Sequence, residues 1–491
     1  MSRDVISTTP NKGWAIIAGP LVFILFCFLP TPHPASPLIM VMIGITFWVA
    51  LWWLTEAVHI AVSSFIPFIL LPASGIADIK DVSAQYMDPI LFLFIGGFLL
   101  AFAIEKWGLH RRLALGILSS TGHNASRVLF GIMLSGFLIS MWISNTATVM
   151  MLLSAVLAVI HQLKKHIPCE ETHRKLSSAL LIGLAYSASI GGLGTLVGTP
   201  TNMIFYRAYN EQYASSDPIT FAGWMIFALP FAFTLLICAW WLIRFFFIRK
   251  LNVKSFETSG FKAEFLQLGK WSIDEKIVGI IFLSTAFLWL TRADLEIGSF
   301  HLRGWTHIFP HPLQIQDSTI AISMALLLFL IPSQTEKGRA LLTWKEASKL
   351  PYEIILLFGS GFALAKGFEL SGLGTWLAHQ LNAVNDFPIL LTILIICVIV
   401  TIISEFASNV ASIQLMMPIL ISLQLVTDLD PKLLLVPAAL SASLGFMLPI
   451  ATAPNTIVYS SGHIKVKEMV IVGFFVDIVG ILLILLFSNW M

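Results

Sequence analysis

Long runs of hydrophobic residues recur along the whole chain and constrain its fold more than any other feature. They cover about 14–31, 40–58, 60–72, 88–105, 127–161, 177–210, 220–248, 277–291, 318–332, 352–366, 387–425, 432–460 and 468–489. A transmembrane helix needs about 20 mainly apolar residues, so the pattern predicts an all-α polytopic membrane protein with about 11 transmembrane helices. Only 11% of the residues are charged, against about 25% in soluble domains. A cytosolic enzyme and a disordered protein are therefore excluded.

Two of these segments, 127–161 and 387–425, are too long for one span and too short for two. Each is interrupted near its middle by small and polar residues. This pattern is typical of a re-entrant hairpin, which enters the membrane and returns on the same side. Broken backbone at membrane depth is tolerated only where it is buried in protein or lines a cavity. We therefore expect both hairpins to contribute to a site inside the protein.

An internal repeat relates the two halves of the chain. Residues 91–109 and 355–373 are identical at 9 of 19 positions, at an offset of 264. The Ser-Asn pairs at 144–145 and 408–409 are separated by the same number of residues, as are Ser140 and Ser404. Residues 60–72 also resemble 320–332, and 187–191 match 441–445. Four segments therefore match in the same order, which makes chance an unsatisfactory explanation.

The repeat continues into two breaks rich in Gly and Pro. Residues 187–191 (SASIG) match 441–445 (SASLG), and the breaks follow at 194–202 and 448–455. The sequence therefore predicts four regions: the N-terminal tail and first span at 1–39, repeat 1 at 40–248, a cytoplasmic linker at 249–276 and repeat 2 at 277–491. The predicted topology approaches Ser144 and Ser408 from opposite sides of the membrane. Such inverted repeats are common in secondary transporters, whose sites lie at the repeat interface near the midplane.

Basic residues orient the chain in the membrane. With a cytoplasmic N-terminus, 22 of the 29 Lys and Arg residues lie inside and 5 lie outside, in agreement with the positive-inside rule. An odd number of spans then places the C-terminus outside. The segment 107–117 is predicted to be an amphipathic helix on the inner surface, with its basic residues at the lipid headgroups. The net charge of +2 gives no electrostatic basis for binding nucleic acid.

The hairpin breaks carry neutral donors where a site is expected. Ser144, Asn145 and Thr146 follow one break, and Ser408 and Asn409 follow the other. Helix N-termini attract anions through unpaired N–H groups and the helix dipole. Ser and Asn also cap ordinary helices, so capping remains the alternative interpretation.

The two Gly/Pro breaks suggest a second kind of ligand. Residues 198–202 (GTPTN) and 451–455 (ATAPN) interrupt apolar segments, and the carbonyls freed by unwinding suit Na⁺. The alternative is a pair of Pro kinks whose backbone groups are satisfied by neighbouring residues. Neither hairpin break contains Arg or Lys, which favours a cation accompanying the anion.

Together these residues resemble the divalent anion:sodium symporters, the family that includes the sodium-coupled dicarboxylate and citrate transporters. The resemblance covers nearly the whole chain and rests on the segments at 52–57, 93–115, 142–148, 187–202, 274–292, 404–412 and 446–458. It implies Na⁺ as a co-transported ion and a homodimer in which each subunit moves its site across the membrane in an elevator-type, alternating-access mechanism.

The resemblance also implies particular ligands. One Na⁺ site would use Ser140, Ser144, Asn145 and the carbonyl of Gly198. The other would use Ser404, Ala407, Asn409 and the carbonyl of Ala451. The substrate's carboxylates would bind Ser144, Asn145, Thr146, Ser408 and Asn409, with the pocket completed by Thr199, Pro200 and Thr452.

One position departs from the family pattern in a way that bears on the substrate. Val410 stands where carboxylate transporters usually have Thr, which removes one hydroxyl donor. This departure leaves a sulfate symporter open as an alternative.

The sequence predicts Na⁺-coupled symport of a dianionic carboxylate of the succinate, malate, fumarate and citrate class. A carboxylate exchanger on the same fold is a further alternative. A channel is disfavoured because the sequence has no ring of charges or filter-like repeat, and a membrane enzyme because no nucleophile–base pair stands out. We expect the protein in a bacterial inner membrane, in contact with its lipid.

Overall fold

The computed structural model describes residues 13–31, 36–122, 124–166, 169–213, 218–249, 251, 259–297, 300–381, 384, 387–427 and 429–488. The N-terminal tail 1–12, the end of the chain at 489–491 and part of the expected linker lie outside the described residues. Within the described part, seven helices are long and apolar enough to cross a membrane, and shorter apolar helices accompany them. The all-α membrane fold is confirmed, while the number of about 11 spans stays a prediction.

The helices of the first half of the chain are α1 Gly13–Phe28, α2 Pro37–Thr55, α3 Ile60–Ser63, α4 Ile66–Ala73, α5 Ile79–Gln85, α6 Pro89–Lys106, α7 Leu109–Ser119, α8 Ala125–Ser140, α9 Asn145–His166, α10 Glu170–Gly192, α11 Pro200–Tyr213 and α12 Phe221–Ile243. A π-helical turn at Arg244–Ile248 extends α12.

The helices of the second half are α13 Ser259–Gln267, α14 Ile273–Leu290, α15 Asp317–Leu330, α16 Trp344–Ala347, α17 Tyr352–Ser371, α18 Leu373–Gln380, α19 Ile389–Phe406, α20 Asn409–Gln424, α21 Pro431–Ser441, α22 Ala453–Ser460 and α23 Val466–Phe487. Two antiparallel strands, β1 Leu295–Ile297 and β2 Phe300–Leu302, form a short ribbon that the hydrophobic pattern does not predict. Two 3₁₀ turns follow at Trp305–Ile308 and Pro312–Gln314.

The chain divides into two compact units, Met1–Leu91 with Pro351–Ala442 and Phe92–Leu350 with Ser443–Met491. In the first unit, α17 packs against α2, α3, α4 and α5, and also against α20. Buried apolar residues such as Met42, Leu71 and Phe368 form its core. Val410, at the start of α20, packs against this apolar cluster. Its aliphatic side chain is therefore part of the packing of that unit.

In the second unit, α10 is the central helix. It packs against α8, α9, α12 and α22, and every residue from Leu176 to Gly192 is buried. The hydroxyl of Tyr186 lies 2.7 Å from the carbonyl oxygen of Phe446 and 3.1 Å from that of Met469. A buried helix with polar contacts of this kind gives the second unit a rigid centre, and the residues of both Gly/Pro breaks belong to this unit.

The amphipathic helix predicted at 107–117 corresponds to α7, but one of its basic residues does not face lipid. Arg112 is 7% exposed, and its Nε and Nη2 donate to Glu275 at 2.7 and 3.0 Å. The same guanidinium donates to the carbonyl of Gly269 at 2.9 Å. The headgroup expectation is therefore wrong for Arg112, because a buried bidentate ion pair satisfies its charge. Arg111 is half exposed and lies near Glu264.

A second set of ion pairs joins the end of α6 to the segment around α16. Arg339 donates to Glu346 at 2.7 Å, the backbone N–H and hydroxyl of Thr343 each donate to it at 2.8 Å, and Lys106 lies 3.3 Å away. Burial raises the pKa of Glu346, but the hydrogen bonds from Arg339, Thr343 and Lys106 outweigh it and hold that pKa at about 2. Glu346 is therefore an ionised anchor for this segment.

In the two halves of the sequence, the paired helices of the hairpins begin at matching positions. α8 and α19 begin 264 residues apart, as do α9 and α20. Gly108 and Gly372, at the same offset, precede short helices with φ of +73° and +79°, a conformation that glycine adopts without a steric cost. The repeat is thus present in the local backbone. Its inverted orientation across the membrane stays a prediction.

Candidate functional site

The first hairpin turns between α8 and α9. Ser140, fully buried at the end of α8, donates its hydroxyl hydrogen to Oδ1 of Asn145 at 2.6 Å. Ser144 Oγ accepts from the N–H of Ala147 at 3.3 Å, so its hydroxyl contributes a long cap to α9. Asn145 and Thr146 are the first two residues of this 22-residue helix. The first N–H groups of a helix have no acceptor within it, and here they belong to predicted site residues.

The first Gly/Pro break lies directly beside this tip. A Cβ on Gly192 would lie 2.7 Å from Asn145 Oδ1 and 3.1 Å from the carbonyl oxygen of Gly198. A Cβ on Gly198 would in turn lie 2.5 Å from the carbonyl oxygen of Gly192. Two glycines are needed because these backbones approach so closely. The structure therefore brings together Ser140, Asn145 and Gly198, three of the predicted ligands of the first cation.

Thr195 connects the tip and the break through the backbone. Its hydroxyl donates to the carbonyl of Met141 at 2.5 Å and accepts from the N–H of Gly198 at 3.1 Å. Thr195 is fully buried. The position of Gly198 relative to the hairpin is thus fixed by one side chain with both a donor and an acceptor.

A small pocket opens next to Ser144. Its walls include Phe94, Phe98, Trp142 and Val197, all within the second unit. Aromatic and aliphatic walls of this kind exclude water, and a few polar groups then fix the orientation of a ligand. Ser144 is the hydroxyl residue lining this pocket.

Both breaks end in a helix that starts with predicted pocket residues. Pro200 begins α11 directly after Thr199, and Thr452 caps α22 by accepting from the N–H of Asn455 at 3.3 Å. α22 packs against α9. The hydroxyl groups of Thr201 and Ser443 lie 2.9 Å apart, which joins the segments of the two breaks inside the second unit.

The second hairpin belongs to the first unit and repeats the geometry of the first hairpin. Ser404 Oγ lies 2.7 Å from Asn409 Oδ1 and 2.6 Å from the carbonyl oxygen of Ala442. Ala407 is extended, with φ −130° and ψ 168°, and it separates α19 from Ser408, the N-cap of α20. The Ser408 side chain makes no hydrogen bond to the backbone it caps, so its hydroxyl is not used for capping.

The predicted ligands therefore fall into two groups. The second unit holds Ser140, Ser144, Asn145, Thr146, Gly198, Thr199, Pro200, Ala451 and Thr452, and the first unit holds Ser404, Ala407, Ser408 and Asn409. None of these residues carries a formal charge. Within the described ranges, no group of three or more His, Cys, Asp or Glu residues could hold a metal ion. The groups that these residues offer at the tips are neutral oxygens and N–H groups, and their role as ligands stays a prediction.

Four residues at the site are given no role by the sequence analysis, although Asn202 and Asn455 end the two predicted breaks: Gly192, Thr195, Asn202 and Asn455. The two asparagines do carry a detectable signal, because each ends a break at the matched position of the repeat. Gly192 and Thr195 carry none, since their roles depend on how the loop closes on the tip.

Comparison with known families and proteins places the chain among transporters. A family model described as the sodium:sulfate symporter transmembrane region matches residues 11–491. The sodium-dependent dicarboxylate transporter SdcS of Staphylococcus saprophyticus is 40% identical over 476 residues, which are 96% of this chain and 89% of that protein. SdcS of Staphylococcus aureus is 37% identical over 476 residues, which are again 96% of this chain and 89% of that protein.

Solved structures share the fold at low identity. Neisseria gonorrhoeae MtrF, reported as illuminating a class of antimetabolite efflux pumps, aligns with a TM-score of 0.57 at 14% identity over 96% of this chain and 97% of that one. The YdaH transporter of Alcanivorax borkumensis aligns with a TM-score of 0.55 at 14% identity over 84% and 89% of the two chains. At this identity the likeness concerns the fold alone.

Proposed function

Because the chain belongs to the sodium:sulfate symporter family, we propose that it couples the symport of di- or tricarboxylates to Na⁺. The transported substrates are carboxylates of the succinate, malate, fumarate and citrate class, and Na⁺ is the co-transported ion. The protein is an integral membrane transporter and not an enzyme.

The matched Ser–Asn pairs carry the proposal for the cations. In each hairpin a buried serine is hydrogen-bonded to an asparagine five residues later, at 2.6 Å for Ser140 and 2.7 Å for Ser404. Side-chain and carbonyl oxygens without charge are ligands suited to a monovalent hard cation. We assign one Na⁺ to Ser140, Ser144, Asn145 and the carbonyl of Gly198. The other belongs to Ser404, Ala407, Asn409 and the carbonyl of Ala451.

The carboxylates of the substrate are assigned to the N-terminal ends of α9 and α20. Ser144, Asn145 and Thr146 receive one carboxylate, and Ser408 and Asn409 receive the other. Thr199, Pro200 and Thr452 complete the pocket. A helix N-terminus stabilises an anion through its N–H groups and dipole, and bound Na⁺ lowers the cost of burying the dianion next to neutral donors.

Movement of the site follows from the same assignment. Na⁺ binds first and orders the tips, the dianion closes the site, and a transport domain carries both across the membrane by an elevator-type, alternating-access movement. The protein functions as a homodimer in a bacterial plasma membrane and contacts its lipid. Its N-terminus is cytoplasmic and its C-terminus lies outside.

Uptake of radiolabelled succinate into proteoliposomes tests the proposal. Vesicles are prepared empty or preloaded with succinate, and an inward Na⁺ gradient is compared with an equal K⁺ gradient. Symport requires accumulation in empty vesicles with Na⁺ and none with K⁺. Uptake restricted to preloaded vesicles, with or without Na⁺, would instead establish an exchanger and remove the cation sites.

Paired variants test the assignment of ligands. Ser140→Ala and Ser404→Ala each remove one neutral ligand of a charged partner, worth about 1.5–3 kcal/mol, so the Na⁺ concentration for half-maximal uptake should rise about tenfold or more. Ser135→Ala is the matched control, because Ser135 is also buried in α8 but bonds to Ala114 at 3.4 Å, away from the tip. Equal effects of the Ser140 and Ser135 variants would refute the assignment.

Sulfate is the second candidate substrate, and Val410 is the residue on which that alternative rests. The contact of Val410 with the apolar cluster of the first unit gives its aliphatic side chain a packing role. The missing hydroxyl is therefore a weak argument for sulfate. Competition of unlabelled sulfate against succinate uptake decides between the two, because a sulfate symporter would be inhibited by sulfate at lower concentration than by succinate.

A further inference from the structure

Two buried asparagines bind the carbonyls of the two breaks in the same way. Asn202 Nδ2 donates to the carbonyls of Gly192 at 3.0 Å and Thr195 at 2.7 Å, with Leu193 at 3.3 Å. Asn455 Nδ2 donates to the carbonyls 10 and 7 residues before it, Gly445 and Leu448, each at 3.1 Å. Asn202 is also bonded to the residues 10 and 7 positions before it. The same pattern of side-chain hydrogen bonds therefore holds the loop of each break in place.

These asparagines act only as donors. Both side chains are fully buried, and Oδ1 of each has no hydrogen-bond partner among the described residues. Leaving a buried acceptor unpaired destabilises a protein, so neither asparagine is optimised for stability. Because each Nδ2 contacts two or more carbonyls, rotating the amide would place Oδ1 against those carbonyl oxygens. The amide orientation is thus fixed.

The bonded carbonyls adjoin the proposed cation ligands. Gly192 accepts from Asn202 and lies against Gly198, because a Cβ on Gly198 would come within 2.5 Å of the Gly192 carbonyl oxygen. In the second break, the carbonyl of Leu448 accepts both from Asn455 Nδ2 and, at 3.2 Å, from the N–H of Ala451. In each break, one residue therefore contacts both the asparagine and the residue whose carbonyl is assigned to a Na⁺. This residue is Gly192 in the first break and Leu448 in the second.

We propose that Asn202 and Asn455 are positioning residues for the two Na⁺ sites. Each asparagine donates hydrogen bonds to other carbonyls of its own loop. These bonds hold the carbonyl of Gly198 in one break, and that of Ala451 in the other, in the direction of the cation. The inference rests on the proposed Na⁺-coupled function and adds two residues that are not themselves ligands. Outer-shell partners of this kind typically affect metal affinity about 10- to 100-fold when they are removed.

The test compares Asn202→Ala and Asn455→Ala with Asn210→Ala. Asn210 is the matched control, because it lies on the same helix as Asn202 and also bonds through its side chain, to the N–H and carbonyl of Ile219 at 2.9 and 3.0 Å, outside the break. Three quantities are measured on purified protein: the Na⁺ concentration for half-maximal succinate uptake, the succinate KM at saturating Na⁺, and the rise in melting temperature caused by Na⁺ relative to K⁺.

The Asn202 and Asn455 variants should need about 10- to 100-fold more Na⁺, with a KM for succinate at saturating Na⁺ close to that of the wild type. Their melting temperature should respond to Na⁺ only at correspondingly higher concentration, and Asn210→Ala should match the wild type. Folded variants with wild-type Na⁺ dependence would show that the asparagines serve the loops alone and would overturn the inference.

Serine variants keep the test decisive where alanine prevents folding. Asn202→Ser and Asn455→Ser retain one short donor, so their Na⁺ requirement should lie between those of the wild type and the alanine variants. Serine variants that fold and respond to Na⁺ like the wild type would also overturn the inference. Failure of the proposed function is recognised separately, because the wild-type protein itself would then show neither Na⁺-dependent uptake nor a Na⁺-dependent melting temperature.

Discussion

Replacing Gly192 by alanine is the sharpest single test of the first cation site. The added Cβ would lie 2.7 Å from Asn145 Oδ1, 3.1 Å from the carbonyl oxygen of Gly198 and 3.2 Å from Asn145 Nδ2. The substitution therefore adds one methyl group beside two proposed ligands and removes no polar atom. Alanine also favours a helix more than glycine does, so the end of α10 should still form.

The geometry sets the size of the effect. Ordinary contact to a Cβ begins at 3.4 Å, so Asn145 Oδ1 must move by about 0.7 Å (3.4 − 2.7) and the Gly198 oxygen by about 0.3 Å. Ligand distances in metal sites hold to within about 0.2 Å, so Asn145 would cease to be a good ligand. Loss of one neutral ligand to a charge costs about 1.5–3 kcal/mol, which corresponds to a rise of about 10- to 100-fold in the Na⁺ concentration for half-maximal uptake.

The assay is Na⁺-dependent succinate uptake by purified protein in vesicles, with Gly194→Ala as the matched control. A Cβ on Gly194, in the same loop, would lie no closer than 3.3 Å to any neighbour, and those neighbours are Gly191, Met141 and Leu229. The control should change the Na⁺ requirement by less than about threefold.

Refutation would come from a folded Gly192→Ala protein with the Na⁺ requirement of the wild type. Such a result would mean that Asn145 and Gly198 do not share a cation. A large loss of folded protein in both glycine variants would instead point to a steric role of the loop and would also contradict the expected difference between them.

Three further outcomes follow from the packing and the ion pairs. Val410→Thr should change the succinate KM by less than about threefold and lower the melting temperature, because a hydroxyl placed against an apolar cluster costs about 1–3 kcal/mol; a tenfold gain in affinity would contradict the packing role. Arg112→Met should destabilise the protein by about 3–5 kcal/mol, because it leaves Glu275 as a buried unpaired charge. In thermal unfolding, the double variant Arg112→Met with Glu275→Leu should recover part of the lost stability. Glu346→Gln should lower the melting temperature at pH 7, and the difference should shrink as the pH falls from about 4.5 towards 2, because a carboxyl with a depressed pKa contributes its full stability above its unfolded pKa and loses it as the pH falls through the folded value; a constant difference would contradict the ionised anchor.

The broken helices were predictable because their signals are local. The polar residues at 144–146 (SNT) and 408–409 (SN) interrupt apolar runs, and the repeat offset places the starts of α9 and α20 at Asn145 and Asn409. The Gly/Pro breaks follow the same logic, since Pro200 and Thr452 lie where a new helix begins. Local composition and an internal repeat were enough to predict this part of the fold, whereas the ligands of the candidate site are implied by the family resemblance and stay a prediction.

Contacts between distant residues were not predictable in this way. Glu275 pairs with Arg112 across 163 positions of sequence, and the sequence alone therefore assigns this basic residue of an amphipathic helix to the lipid headgroups. The motif presents Val410 as a lost donor because it compares residue types and does not show what packs against a side chain. Asn202 can donate to the carbonyl of Gly192 only because the loop between them folds back on itself. The periodicity of the sequence does not indicate such a fold.

The Ser–Asn pairs at the two tips have a consequence for the energetics of the empty carrier. Each serine Oγ lies within hydrogen-bond distance of the asparagine oxygen, so without Na⁺ the hydroxyl satisfies the ligand oxygen and neither side chain of the pair carries a charge. When Na⁺ binds, contacts of the two oxygens with the ion replace this hydrogen bond, and the hydroxyl hydrogen turns away from the ion. If the sites are as proposed, two Na⁺ balance the two charges of a dicarboxylate, so the membrane potential, worth about 2.3 kcal/mol per charge per 100 mV, acts on the loaded step only when the substrate and the ions leave a net charge.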